Sequence, residues 1–225
     1  MVLLSRCASI KAVRVGVGES SCRLEKKKMN SYDAGNCSFT SLTVWRKSLL
    51  FSCHGFTVFD SNGNLVYRVD NYRGDRTEDI VLMDARGKPL HTLHRKGRRF
   101  MKNWVVFEGE AEERNGKPKK PIYCGRKNVN LLLQRNPNVL ARVCGDSDGH
   151  PEKKGYGLVI QGSYERRSCE VVDDESGEVF AEIKRKDANI KGISFGLDVF
   201  HLNVRSGFNP AFAMSLVLLL DQMFT

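Results

Sequence analysis

The sequence has no run long enough and apolar enough to cross a bilayer as a helix. Its greasiest stretch closes the chain. Ala211, Phe212, Ala213, Met214, Leu216 to Leu220, Met223 and Phe224 leave no polar stripe, but Asp221 and Gln222 interrupt them. The fourteen residues after Pro210 give roughly 21 Å of helix against roughly 30 Å of hydrocarbon. The seven cysteines (7, 22, 37, 53, 124, 144 and 169) are odd in number, scattered and free of any C-x-x-C pair, so neither a disulfide framework nor a zinc site is indicated. A reducing, intracellular setting is the simplest inference. The apolar core of a secretory signal is also missing, which makes the glycosylation pattern Asn36-Cys37-Ser38 a chance match.

Catalytic signatures are equally scarce. There is no nucleophile elbow, and the adjacent Cys53 and His54 do not have the geometry of a nucleophile and its base. Gly155-Tyr-Gly157 lacks the Lys-Ser/Thr of a phosphate loop and leads into Leu158-Val-Ile160, a strand pattern. Asp60-Ser-Asn62-Gly63 and Asp146-Ser-Asp148-Gly149 begin like calcium loops. Both lack the third oxygen residue, and position twelve is Asn71 or Gly157 instead of Glu, so turn chemistry explains them. His91 and His94 are three apart, which on a strand sends them to opposite faces. They read as surface or hairpin histidines without a shared metal. The chain is therefore expected to be no enzyme and to hold no cofactor and no metal.

Positive charge is what the chain has in excess. The formal net charge is +10 at pH 7 with a pI near 9.3, which favours anionic partners: nucleic acid, acidic lipid head groups or an acidic protein. At 225 residues and 41% hydrophobic, one domain large enough to bury a core is expected. Residues 1–36 differ from the rest. They carry seven basic residues against three acidic ones and read as a disordered basic arm, with the barrel domain over 37–225. The first eighteen residues lack Asp entirely and reach no Glu before Glu19, a weak likeness to an organelle transit segment. Met29 would serve equally well as the initiator of the domain behind it.

The remainder is β-patterned. Asp60 to Gly63, Asp84 to Gly87 and Asp174 to Gly177 repeat one hairpin signal, an Asp that opens a tight turn and a Gly three later for the φ > 0 residue. Counting outward gives twelve strands, near 41–46, 55–59, 65–70, 79–84, 89–95, 103–108, 121–126, 139–144, 156–162, 167–173, 178–184 and 196–204. Asn209 as N-cap and Pro210 at the first helical position start a helix over 210–224. A helix apolar all round must be enclosed, and a closed sheet of this size has a lumen that its own side chains cannot fill. The expected fold is mainly β, a closed twelve-stranded antiparallel barrel around a central hydrophobic C-terminal helix. Trp45 and Trp104 are assigned to its core. Asp221 is expected at the barrel mouth, paired or hydrated.

The block Leu42-Thr-Val-Trp45 through Phe51-Ser-Cys-His-Gly55-Phe-Thr-Val-Phe-Asp60 to Asp70-Asn71-Tyr72 resembles the opening of the plant LURP-one-related family. Asp79 to Lys96 continues the likeness, and Ala211 to Phe224 with its Leu-Leu-Asp-Gln is similar to that family's closing helix. The resemblance implies a tubby C-terminal-like fold, shared with tubby-like proteins and phospholipid scramblases, and membership of a family linked to plant defence and suggested to contain membrane-tethered regulators. It brings no catalytic residues.

The constellation left for function is basic. Arg95, Lys96, Arg98, Arg99 and Lys102 cluster with Phe100 and Trp104. Lys117, Lys119 and Lys120 form a loop, while Arg126, Lys127, Arg166, Arg167, Lys184, Arg185 and Lys186 stand at strand ends. Strand ends at one rim of a barrel converge, so distant clusters would build one anion-binding mouth. The ordinary role of such charges is to solvate loops and guard edges. The leading expectation is a monomer in the cytoplasm attached peripherally to acidic phospholipid, phosphoinositide included. The alternatives are a nucleic-acid-binding or transcription-regulating protein, with a nuclear location, and a scramblase-like activity. The failed calcium loop and the short helix count against the last.

Overall fold

Tight turns led by an aspartate set the course of the chain. The computed structural model describes residues 38–50, 53–72, 79–96, 103–110, 119–128, 138–145, 157–186 and 196–225. In it Asp60 Oδ1 accepts the N–H groups of Asn62 and Asn64, both at 2.8 Å, and Gly63 N–H donates to the Asp60 carbonyl at 3.1 Å. Gly63 sits at φ +81°, a conformation that a residue without Cβ adopts at little cost. Asp84 repeats the arrangement with Arg86, Lys88 and Gly87. The third hairpin corrects the expectation. Asp173, not Asp174, accepts from Glu175 and Ser176, and Gly177 N–H bonds the Asp173 carbonyl, so that turn is one residue longer. Asp174 instead faces Arg142, 3.1 Å away.

The strands are β1 (Phe39–Trp45), β2 (Cys53–Phe59), β3 (Leu65–Tyr72), β4 (Asp79–Asp84), β5 (Pro89–Lys96), β6 (Asn103–Glu108), β7 (Tyr123–Lys127), β8 (Val139–Gly145), β9 (Leu158–Ser163), β10 (Ser168–Asp173), β11 (Val179–Arg185) and β12 (Val199–Arg205). Each pairs antiparallel with its sequence neighbours, and β1 closes the ring on β12 along the whole length of both. The barrel read from the sequence is the barrel observed, with strand limits shifted by no more than about three residues. The arm read over 1–36, the alternative start at Met29 and the Asp146 to Gly149 turn lie outside the described residues.

The helix α1 (Pro210–Phe224) fills the lumen. Asn209 Oδ1 accepts the N–H groups of Ala211 at 2.9 Å and Phe212 at 3.2 Å, which satisfies donors that have no partner within the helix. Every residue from Ala211 to Asp221 is buried. Leu82, Leu93, Ile160, Ile183, Phe200 and Leu202 of the wall meet Met214, Leu216, Leu218, Leu219 and Leu220 of the rod. Tyr123 stacks on Phe212 with ring centroids 3.9 Å apart. Two residues along β7, Gly125 gives the rod room, since a Cβ there would lie 2.3 Å from Leu219 Cδ1. Among the described residues no helix is long and apolar enough to cross a membrane.

Strand parity decides three assignments made from the sequence. Leu42 and Val44 point inward, so Trp45 lies on the outer wall, 40% exposed, which corrects its placement in the core. Trp104 is in the core as expected. His91 points inward with Leu93 and is buried, which corrects the surface reading, while His94 on the opposite face meets Asp79 at 2.5 Å.

Alternating strand direction also sorts the connections between two ends. Those that follow even-numbered strands share one end with the start of α1, here the head mouth. Those that follow odd-numbered strands share the other with the end of α1, the tail mouth. The three aspartate turns belong to the head mouth.

Candidate functional site

At the tail mouth, five odd-numbered strands run out into basic residues among the described residues. Arg46 and Lys47 follow β1, Arg95 and Lys96 close β5, and Arg126 and Lys127 close β7. Arg166 and Arg167 belong to the turn after β9, Lys184 and Arg185 end β11, and Lys186 follows it. An up-and-down barrel thus gathers on one rim clusters that are far apart in sequence. Lys119 and Lys120 do not join them. They belong to the β6–β7 connection at the head mouth, where Lys119 Nζ donates to the carbonyls of Glu108 and Glu110. Arg98, Arg99 and Lys102 lie outside the described residues.

Within this ring some cations hold the fold. Lys127 Nζ donates to the Met223 carbonyl at 2.6 Å and stands 4.1 Å over the Phe224 ring, so it caps the negative end of α1. Arg167 is buried at 5% exposure, a correction to its place among surface cations. Its Nε donates to the Leu197 carbonyl at 2.8 Å and Nη1 to that of Tyr164 at 3.2 Å, while the guanidinium stacks over Tyr164 and Phe200. Its backbone is left-handed, φ +53°, an unusual conformation that these contacts stabilise. Lys184 pairs with Glu182 at 2.6 Å yet keeps most of its side chain in solvent. Lys96, Arg166 and Arg185 are exposed, and Arg95, Arg126 and Lys186 are half-buried.

The end of α1 carries a buried acid in the middle of this ring. Asp221 accepts from Tyr164 Oη at 3.1 Å and Thr225 Oγ1 at 3.2 Å and pairs with Arg46 Nε at 3.0 Å. It lies at the mouth and paired, as expected. Burial, and then the Asp221 carboxylate, push the Tyr164 hydroxyl well above its usual range and keep it a neutral donor. Beside Asp221 a cavity of about 570 Å³ opens, with Phe56, Val69, Ile80 and Leu218 as floor and Arg46, Lys47, His54 and Gln222 as rim. It opens where the β3–β4 ladder stops after Tyr67–Asp84 and Arg68–Met83.

Among the described residues no group of three or more His, Cys, Asp or Glu is placed to hold a metal ion. Burial pushes the Cys169 thiol up to about 12, which leaves no thiolate at neutral pH. His91 Nδ1 lies 2.8 Å from Ser215 Oγ, whose own proton goes to the Ala211 carbonyl at 3.1 Å. The ring is therefore a donor to Ser215, and burial lowers its pKa. Both oxygens of Asp60 are taken by its own turn and Asn64.

One feature of the tail mouth was missed from the sequence. Trp45, Leu49, Leu50 and Leu197 are large, apolar and exposed there. Parity from Leu42 and Val44 was the available signal for Trp45. The leucines of the connections carry no periodic signal.

A family model described as LURP-one-related matches residues 40–221. The chain is similar to Protein LURP-one-related 17 of Arabidopsis thaliana, 46% identical over 83% of this chain and 84% of that protein. It is similar also to Protein LURP-one-related 8 of the same organism, 45% identical over 81% and 86%. A solved X-ray structure of an Arabidopsis thaliana protein superposes with a TM-score of 0.57 at 25% identity, covering 83% of this chain and 93% of that one.

Proposed function

The chain belongs to the LURP-one-related family, and from that premise we propose that it is a non-enzymatic module that attaches peripherally to membranes through acidic phospholipid, phosphoinositide included, in a plant defence-related pathway. The observation that carries this reading is the convergence of cationic strand ends on the tail mouth. Lys96, Arg166, Lys184 and Arg185 are exposed on it, and each cation near an anionic surface contributes about 1 kcal/mol. The kinship with tubby-like proteins implied by the resemblance fits the same reading. Scramblase-like activity is the less favoured alternative, since the oxygens of Asp60 are already used by the turn.

Vesicle flotation tests the proposal. Phosphatidylcholine vesicles with phosphatidylserine or phosphoinositide are expected to carry the protein, and neutral vesicles or raised salt to release it, because exposed charges are screened over about 10 Å at 0.1 M salt. Lys96→Glu with Arg185→Glu should abolish binding, whereas Lys119→Glu with Lys120→Glu, at the other end of the barrel, should leave it nearly unchanged. Tight binding to duplex DNA at matched salt, with no binding to anionic vesicles, would replace the lipid reading by the nucleic-acid one.

A further inference from the structure

We propose that residues 45–50, with Trp45, Leu49 and Leu50, and the neighbouring Leu197 form a wedge that enters the interfacial layer of an anionic bilayer; this deepens, and rests on, the attachment proposed above. Five large apolar side chains are conspicuously exposed among the described residues. Phe39 stands alone at the head end of β1, and the other four all belong to the tail mouth. Single exposed apolar residues are ordinary, but several at one site mark a contact surface.

Several polar groups of residues 46–50 are bonded to the barrel. Arg46 N–H donates to the Asp198 carbonyl at 2.7 Å, and Thr57 Oγ1 donates to the Lys47 carbonyl at 2.6 Å. Ser48 Oγ donates to Asp70 Oδ1 at 2.5 Å and accepts from Leu50 N–H at 3.0 Å. Ser48 is buried by these bonds, while Leu49 at 52% and Leu50 at 37% exposure are turned out. A segment that enters lipid must satisfy its backbone within the protein, and this one does so for the groups named. On the other flank, the buried Arg167 holds the Leu197 carbonyl from inside, and the bond from Arg46 to Asp198 ties that flank to β1.

Charge complementarity selects a bilayer over other occupants. Lys47 Nζ lies 5.2 Å over the Trp45 ring, an apolar body with a cationic tip, which suits the level of the head groups. Lys184 and Arg185 end β11, beside β12, and the remaining cations of the mouth continue the ring. Among the described residues the acids at the same rim are Asp198, Glu165 and Asp79, the last of them 2.5 Å from His94 Nδ1, and Asp221 and Asp70 are paired internally. Exposed apolar residues and cations at one mouth match acyl chains and phosphates, at the shallow depth of about 5–10 Å typical of interfacial elements.

The test uses the two tryptophans of the full chain, of which Trp104 is buried inside the barrel. With phosphatidylcholine vesicles containing phosphatidylserine, emission should shift to the blue and be quenched by phosphatidylcholine brominated near the head of its acyl chains. Trp45→Phe should remove both changes. Leu49→Gln with Leu50→Gln should weaken vesicle binding about tenfold or more with an unchanged salt slope, as expected for lost apolar burial. That variant should melt with the wild type, because both side chains are exposed. Charge-dependent flotation without quenching, and with the leucine variant floating equally, would overturn the wedge and leave the attachment standing. Absence of binding to any vesicle would overturn both, and a dimer abolished by the leucine variant without vesicle binding would reassign the patch to self-contact.

Discussion

Gly125 and Leu219 report on whether the rod is threaded through the barrel in the register described. Gly125→Ala adds one methyl carbon, which would lie 2.3 Å from Leu219 Cδ1 and 3.3 Å from Cγ and Cδ2. Leu219 has no exposed surface and belongs to the fully packed core, so it has little freedom to give way. Overpacking of this kind costs about 1–3 kcal/mol, and the reduced freedom of the unfolded chain returns only about 0.4–1 kcal/mol. Leu219→Ala alone removes a fully buried side chain and should cost about 2–5 kcal/mol. In the Leu219→Ala background the clashing atoms are gone, so Gly125→Ala should become neutral or stabilising. The pair should therefore couple by about 1–3 kcal/mol in a double-mutant cycle. Urea titration with m-values held constant is the assay. Equal costs of Gly125→Ala in the two backgrounds, within about 0.5 kcal/mol, would mean that these residues do not touch and that the helix runs elsewhere.

Asn209→Ala should lower stability by about 0.5–2 kcal/mol in the same titration, and Asn209→Asp should recover it, since a carboxylate caps equally well and suits the dipole. His91 has a folded pKa below its ordinary 6.5, so its contribution is complete above pH 6.5 and is lost as pH falls from there toward the folded value, because the unfolded chain takes the proton first. Thermal midpoints measured from pH 7.5 down to 5 should show this slope, and His91→Gln should flatten it. Arg46→Met leaves the Asp221 carboxylate, whose side chain is 8% exposed, with hydroxyl partners only and should cost about 1–3 kcal/mol. Asp221→Asn added to Arg46→Met should restore part of that loss, as read by the urea midpoint.

Much of the architecture was legible because its signals are local. An aspartate that bonds its own turn and a glycine at positive φ need only a few residues, and Asp60 and Asp84 behave as that logic requires. The enclosed helix was legible from the absence of any polar stripe. What failed were readings that needed a face or a neighbour. Trp45 was placed inside by its apolar neighbours, although alternation from Leu42 and Val44 sends it out. His91 was read with His94 as a surface or hairpin histidine, although opposite faces send one of the two inward, where Ser215 of the rod supplies the partner that makes burial tolerable. The basic residues were legible as a set but not in their roles. Lys127 is drawn to the end of a helix ninety-six positions away, Arg167 is folded under Leu197, and Lys119 serves the opposite end of the barrel. Charge alone does not distinguish a cation that meets a partner from one that anchors a loop.

The uneven stitching of the wall has a mechanical consequence. The strands most distant in sequence, β1 and β12, are laced along their full length, whereas β3 and β4, neighbours in sequence, share only Tyr67–Asp84 and Arg68–Met83 among the described residues. The cylinder is therefore weakest between adjacent staves and not at the joint where its ends meet. Any sideways opening that uncovers Leu218 would start along Val69 and Ile80, and amides there would trade their protons for solvent deuterium before those of the β1–β12 joint.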